Sequence, residues 1–167
     1  GFPVWRGVGL VAAGACRALA GETEFGLKLI GEGLVAQRQL GMGGWLGFTL
    51  FNAATAHMQA GNLGHALELL NEAMAHAEKS HARVLLPGIE RLHAEVLLLA
   101  GQIDTPQAIL RVEDAAARAR NQGALALEWR ATIALARWHA SAGRYDQARE
   151  MLRDNYAAFT QGFGMPD

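Results

Sequence analysis

The sequence predicts an all-α protein, a right-handed superhelix of about four antiparallel helix hairpins with eight helices, and three observations carry that prediction. First, Ala-Gly recurs at 20-21, 60-61, 100-101 and 142-143, at intervals of 40, 40 and 42 residues. Second, small residues hold register around those glycines: Gly14, Ala54, Ala94 and Ala136 stand seven positions before them. That spacing is two turns back along one helical face. A further small column follows at Gly26, Ala66, Ala108 and Ala148, and another seven residues on at Gly33, Ala73, Ala115 and, breaking the pattern, Asn155. Third, no window keeps a period of two, so no strands are expected.

Between the small residues of each second helix stand Ile30, Leu70, Val112 and Leu152, an apolar stripe expected in the core. Small side chains let the helices of one hairpin approach closely, and the larger ones fill the space toward the next hairpin. The helices are expected over 3–20, 23–40, 44–60, 63–80, 86–100, 105–122, 125–142 and 145–161. Asn62 suits an N-cap, and Asp104 or Thr105 with Pro106 in the first turn opens the sixth helix. The extra Asp104-Thr105-Pro106 turn accounts for the interval of 42. Pro87 is tolerated in a first turn, whose N–H groups have no partner inside the helix. Gly41, Gly123 and Gly162 suit left-handed caps closing second helices.

Half of the residues are apolar, enough for a sizeable core. Fifteen basic residues face sixteen acidic ones, and from Arg83 onward the count is ten against ten, so no nucleic-acid footprint is expected. One cysteine, Cys16, excludes an internal disulfide and a Cys-x-x-Cys pair, which fits a reducing, cytoplasmic compartment. Cys16 is expected to be a buried structural thiol. Two stretches imitate membrane or export signals. Residues 6–20 combine an arginine, an apolar run and an Ala-x-Ala ending, but the run falls into register with later repeats. Residues 39–67 lack any Asp, Glu, Lys or Arg, yet Gly43-Gly44, Asn52, His57, Gln59 and Asn62 argue against a membrane span.

Chemistry-bearing patterns are sparse. The six histidines have no metal-ligand spacing and are expected on ordinary polar surface. Ser80 and Ser141 lie in no nucleophile elbow, and no phosphate-cradling G-x-x-x-x-G-K-[ST] occurs. The chain is expected not to be an enzyme and to carry no catalytic residue, cofactor or metal. Trp5 and Trp45, 40 apart, are expected to pack between repeats, while Trp138 suits either the core or a groove.

The paired-helix unit with small residues at its eighth, twentieth and twenty-seventh positions resembles the tetratricopeptide repeat. It runs to 40 residues rather than the usual number of about 34 and lacks the proline before the next repeat, so it is a variant of that motif. On this register 1–167 is a single repeat domain with repeats at about 3–41, 44–82, 85–123 and 125–162, expected to belong to a longer protein. The resemblance implies that first helices line a groove with positions two, five, nine, twelve and thirteen. Those are Phe48, Phe51, Thr55, Met58 and Gln59; Arg91, Glu95, Leu98 and Leu99; and Arg130, Ile133 and Arg137. The lysine and asparagine arrangement with which some members clamp a terminal carboxylate is not reproduced. Charge reversal at Arg91 with Arg137 is expected to weaken partner binding at little expense in stability.

A narrower resemblance lies in the segments GFPVWRGVGLVAAGACRALAG, EGLVAQRQLG, RLHAEVLLLAG, ARARNQGALALEWRATIALARW and YAAFTQGFGMPD. These are similar to the C-terminal repeat region of bacterial signalling proteins that join a class III adenylate or guanylate cyclase domain, or a DNA-binding domain, to a P-loop ATPase. That implies a non-catalytic regulatory solenoid in signal transduction. Its partner would be a protein or peptide segment or another domain of the same polypeptide, with homo-oligomer contact through uncapped ends. The alternative is a small-molecule-sensing arm of an ATPase-linked transcriptional regulator.

Overall fold

A computed structural model describes residues 3–40, 45–80 and 83–158. Among them lie eight α-helices and no strand: α1 (Pro3–Leu19), α2 (Thr23–Gln39), α3 (Leu46–Gln59), α4 (Leu63–Ser80), α5 (Leu86–Leu99), α6 (Thr105–Asn121), α7 (Leu125–Ser141) and α8 (Tyr145–Tyr156). A single 3-10 turn, Arg83–Leu85, leads into α5. Consecutive helices pair as hairpins, α1 with α2 through α7 with α8. Each second helix also touches the next first helix, and α1, α3, α5 and α7 follow one another side by side. The expected fold class is therefore the observed one, an all-α stack of helical hairpins.

The recurring Ala-Gly is a helix terminator. Gly21, Gly61, Gly101 and Gly143 all have positive φ, between 66° and 95°. At Gly21 the N–H bonds to the Ala18 carbonyl at 3.1 Å and the next N–H, of Glu22, reaches back to Arg17 at 3.0 Å. This paired pattern is a Schellman motif, in which a left-handed residue lets the chain satisfy carbonyls left over at the helix end. Equivalent bonds recur at Gly61, Gly101 and Gly143. Gly123 closes α6 in the same way with φ 66°. Gly41 and Gly162 lie outside the described residues.

The start of α6 shows why the third interval is longer. Asp104 is extended at φ −87°, ψ 170°, accepts from the Gln107 N–H at 2.9 Å, and its own N–H donates back to Gln107 Oε1 at 3.2 Å. That reciprocal capping box satisfies two donors that a helix otherwise leaves open. Pro87, buried, sits in the first turn of α5 as expected.

The small columns are the lines along which each hairpin closes. Ala54, Ala66, Ala73, Ala94 and Ala108 are fully buried, as are Ile30, Leu70 and Val112 on the neighbouring stripe. Leu152 and Asn155, at the end of the stack, are only half-buried. In the first hairpin the columns are glycine, and backbone meets backbone: a Cβ on Gly14 would lie 2.5 Å from the Gly26 carbonyl, and one on Gly33 would lie 2.7 Å from the Gly7 carbonyl. One core runs from Val11 through Ile30, Leu50 and Leu70 to Ile89 and Leu92. A second, built largely of alanines, joins Ala94 to Val112, Ala131 and Leu135, and Trp138 packs against it rather than into the groove.

Polar contacts tie the hairpins in register. The Thr49 hydroxyl donates to Gln37 Oε1 at 2.6 Å between α3 and α2, where both residues are buried. Arg118 on α6 pairs with Glu90 on α5 at 2.9 Å. Trp5 and Trp45 meet edge to face at 5.7 Å between ring centroids, so they do pack between repeats while remaining about half exposed. Cys16, expected to be buried, is instead exposed, because the residues of α1 that face α2 are Gly7, Val11 and Gly14. No described helix is long and apolar enough to cross a membrane.

Candidate functional site

Positions three and four apart on a helix share a face. On α7 this rule places Ala126, Arg130, Ile133 and Arg137 in one stripe, with Trp129 and Ala134 beside it. Opposite, α5 presents Arg91 and Glu95, and Gln59 comes from the end of α3. Together these nine residues line a cavity of about 570 Å³. Of the groove residues read from the repeat register, Gln59, Arg91, Glu95, Arg130, Ile133 and Arg137 are thus brought together. The register did not single out Ala126, Trp129 and Ala134 for the groove. The i, i+3, i+4 stripe through Arg130 was the signal for them.

The other half of the expected groove is divided. Phe51 is half-buried and packs against the main core, with its ring 3.8 Å from where a Cβ on Gly88 would lie. Leu127 of α7 comes within 3.1 Å of the same point, so the absence of a side chain at position 88 lets α3, α5 and α7 close over this end. Thr55 donates its hydroxyl to the Phe51 carbonyl at 2.9 Å, within its own helix. Phe48 turns to a different cavity, of about 340 Å³, lined with Trp45, Gly47, His76, Ala77, Val84, Leu85 and Ile89. The apolar and arginine-bearing parts of the register are therefore two separate places.

Within the α5–α7 cavity the arginines are not equivalent. Arg91 Nη1 donates to Glu95 Oε1 at 2.5 Å, and the Arg91 side chain is only 12% exposed. Its Nε is buried without a hydrogen-bond partner. Arg130 and Arg137 are exposed, and neither has a carboxylate partner among the described residues. Replacing Arg91 with Glu would set two carboxylates against each other in a half-buried place, so the expectation that charge reversal there leaves stability intact does not survive the geometry. Arg130 and Arg137 are the clean probes.

The histidines are less superficial than their spacing suggests. His139 on α7 is buried, and Arg144 Nε donates to its Nδ1 at 2.9 Å, which places the ring proton on Nε2, itself buried without a partner. Burial first and the Arg144 charge second hold its pKa below the usual 6.5, against an opposing pull from Glu113. Burial likewise lowers His57, whose ring lies edge to face with His65 at 4.4 Å, and His93, which also faces Arg111. Among the described residues no three His, Cys, Asp or Glu side chains gather as metal ligands.

These shifts set a pH dependence. A histidine with a depressed folded pKa leaves the unfolded chain binding more protons, so its contribution is present above the unfolded pKa and lost as the pH falls toward the folded one. Glu90 acts with the opposite sign: burial raises it, Arg118 partly offsets that, and stability declines as the pH rises from about 4.5 through its folded pKa. Thermal unfolding at about pH 7.5 and about pH 5.5 should show a lower midpoint at the acid value through the histidines. Equal midpoints in a Glu90→Gln background, where the opposing carboxylate is gone, would contradict the burial of these rings.

The molecule defined by these features is an all-α protein of stacked helical hairpins with an arginine-lined cavity on the face of its first helices. No family model matches the chain, and no curated protein matches it either.

Proposed function

We propose that this chain is a non-catalytic protein-interaction and regulatory module of tetratricopeptide-like repeats, the C-terminal part of a class III cyclase-type signalling protein. The observation that carries this reading is the gathering of Gln59, Arg91, Glu95, Arg130, Ile133 and Arg137, from three successive first helices, around one cavity of about 570 Å³. Such a surface recognises by shape, apolar contact and arginine hydrogen bonds. The partner is a protein segment or another domain of the same polypeptide, in the cytoplasm. The similarity of the repeat segments to cyclase–ATPase proteins supports the signalling assignment.

Two measurements test the proposal. The reading frame ahead of this chain is expected to encode a cyclase or DNA-binding domain followed by a P-loop ATPase, and a frame encoding neither sinks the signalling assignment. Hydrogen exchange on the full polypeptide should show protection of α5 and α7 when the partner is engaged. Protection confined to α1 or α8 would move the interaction to the ends of the stack.

A second reading, a small-molecule-sensing arm of an ATPase-linked regulator, is favoured by the apolar cavity beside Trp45, Phe48 and Val84. A metabolite at a hundredfold excess over its dissociation constant should then stabilise the fold by about 2.7 kcal/mol. A metabolite screen without a thermal shift would remove that reading.

A further inference from the structure

The charges around the α5–α7 cavity are unbalanced. Three guanidinium groups, of Arg91, Arg130 and Arg137, face a single carboxylate, Glu95, an excess of two positive charges in a chain whose net charge is −1. Glu95 is already engaged by Arg91. The two exposed arginines have no carboxylate of their own among the described residues and stay open to one from a ligand. Arginine's planar fork pairs with the oxygens of carboxylates and phosphates rather than with neutral acceptors, and of these the carboxylate is the group an unmodified protein segment offers.

The spacing narrows the ligand further. Arg130 and Arg137 are seven residues apart on one helix, which places them on the same face ~10.5 Å apart along its axis. Ile133 lies between them, beside Trp129. An extended polyproline-type segment repeats its direction every three residues and advances ~9.3 Å in doing so. Two acidic side chains three residues apart would thus reach the two arginines from one side, and the residues between them, turned ~120° to either side, would lie along the groove walls, one of them toward Trp129 beside the stripe. A helical ligand would have to offer its carboxylates seven residues apart to match the same ~10.5 Å, which a six-residue peptide cannot do, so binding of so short a peptide separates the two cases.

We propose that the α5–α7 groove takes an extended acidic segment of a protein, with two carboxylate side chains three residues apart flanking an apolar residue. This rests on the groove being the interaction surface.

The test uses a fluorescein-labelled peptide, Ser-Glu-Leu-Pro-Glu-Ser, blocked at both ends so that only internal carboxylates are offered. Anisotropy should report saturable binding. Changing either glutamate to glutamine, or the protein by Arg130→Gln or Arg137→Gln, should weaken it about tenfold, and added salt should weaken it further. Circular dichroism confirms that the variants fold, and both positions are exposed. A peptide with the two glutamates adjacent should bind less tightly than the parent. The proposal is overturned if no blocked peptide binds, if glutamine or lysine peptides bind as well as the acidic one, or if only a free C-terminal carboxylate confers binding. Hydrogen exchange separates the two levels. A neutral or basic peptide that protects α5 and α7 leaves the groove as the interaction surface and removes only the acidic ligand, whereas protection outside these helices removes both.

Discussion

Gly26→Ala should lower the stability of the fold by about 3 kcal/mol, at the upper end of the usual effect of overpacking. Adding one methyl group to a helix normally helps, since alanine exceeds glycine in helix propensity by about 1 kcal/mol. At this position the methyl carbon would lie 2.5 Å from the Gly14 carbonyl oxygen and 2.6 Å from the Ala18 nitrogen. Both obstacles are backbone, so no rotamer can move aside and α1 must separate from α2. Gly31 sits on the same helix with nothing within 4 Å of an added Cβ. Gly31→Ala should therefore stabilise by about 0.5–1 kcal/mol, the opposite sign on the same helix. Urea unfolding of the two variants beside the parent decides it, and a Gly26→Ala variant as stable as the parent would refute the close approach of α1 and α2.

Leu70→Ala should cost about 2–5 kcal/mol, from lost transfer free energy and the cavity left behind. Leu70 is fully buried in the larger core, which gathers residues of α1 to α5. The same core holds the fully buried Ala53, Ala66 and Ala73, side chains too short to fill a vacated space. The cost should thus fall toward the upper part of the range. Leu110, on α6 and exposed, is the control, and Leu110→Ala should change stability by less than about 0.5 kcal/mol. A Leu70→Ala effect no larger than the control's would place this stripe outside the core.

The hairpin arrangement was legible because its determinants are local and repeated. Helix ends need a residue that tolerates positive φ, and the columns facing a partner helix need small side chains, so glycine and alanine return at fixed offsets from repeat to repeat. The lengthened third turn could be read for the same reason, since the Asp104–Gln107 cap lies within four residues. Of the groove, the arginine-bearing half was legible in two ways: Arg130 and Arg137 share a face of α7 by helical spacing, and the repeat register singled out Arg91 on α5.

What the sequence determined by itself was therefore the fold class, the helix order and the small-residue seams, because each depends on residues within one or two turns of one another. Only the tertiary structure decided which groove residues share a cavity. Phe48 and Phe51 occupy register positions equivalent to Arg130 and Ile133, yet α7 closes over Gly88 through Leu127 and separates them from the arginines. The same applies to the burial of Arg91, whose pairing with Glu95 is a local i, i+4 contact, and to His139, buried where α6, α7 and the turn at Arg144 meet. Packing between hairpins is set by side chains far apart in the chain, and a one-dimensional register carries no record of it.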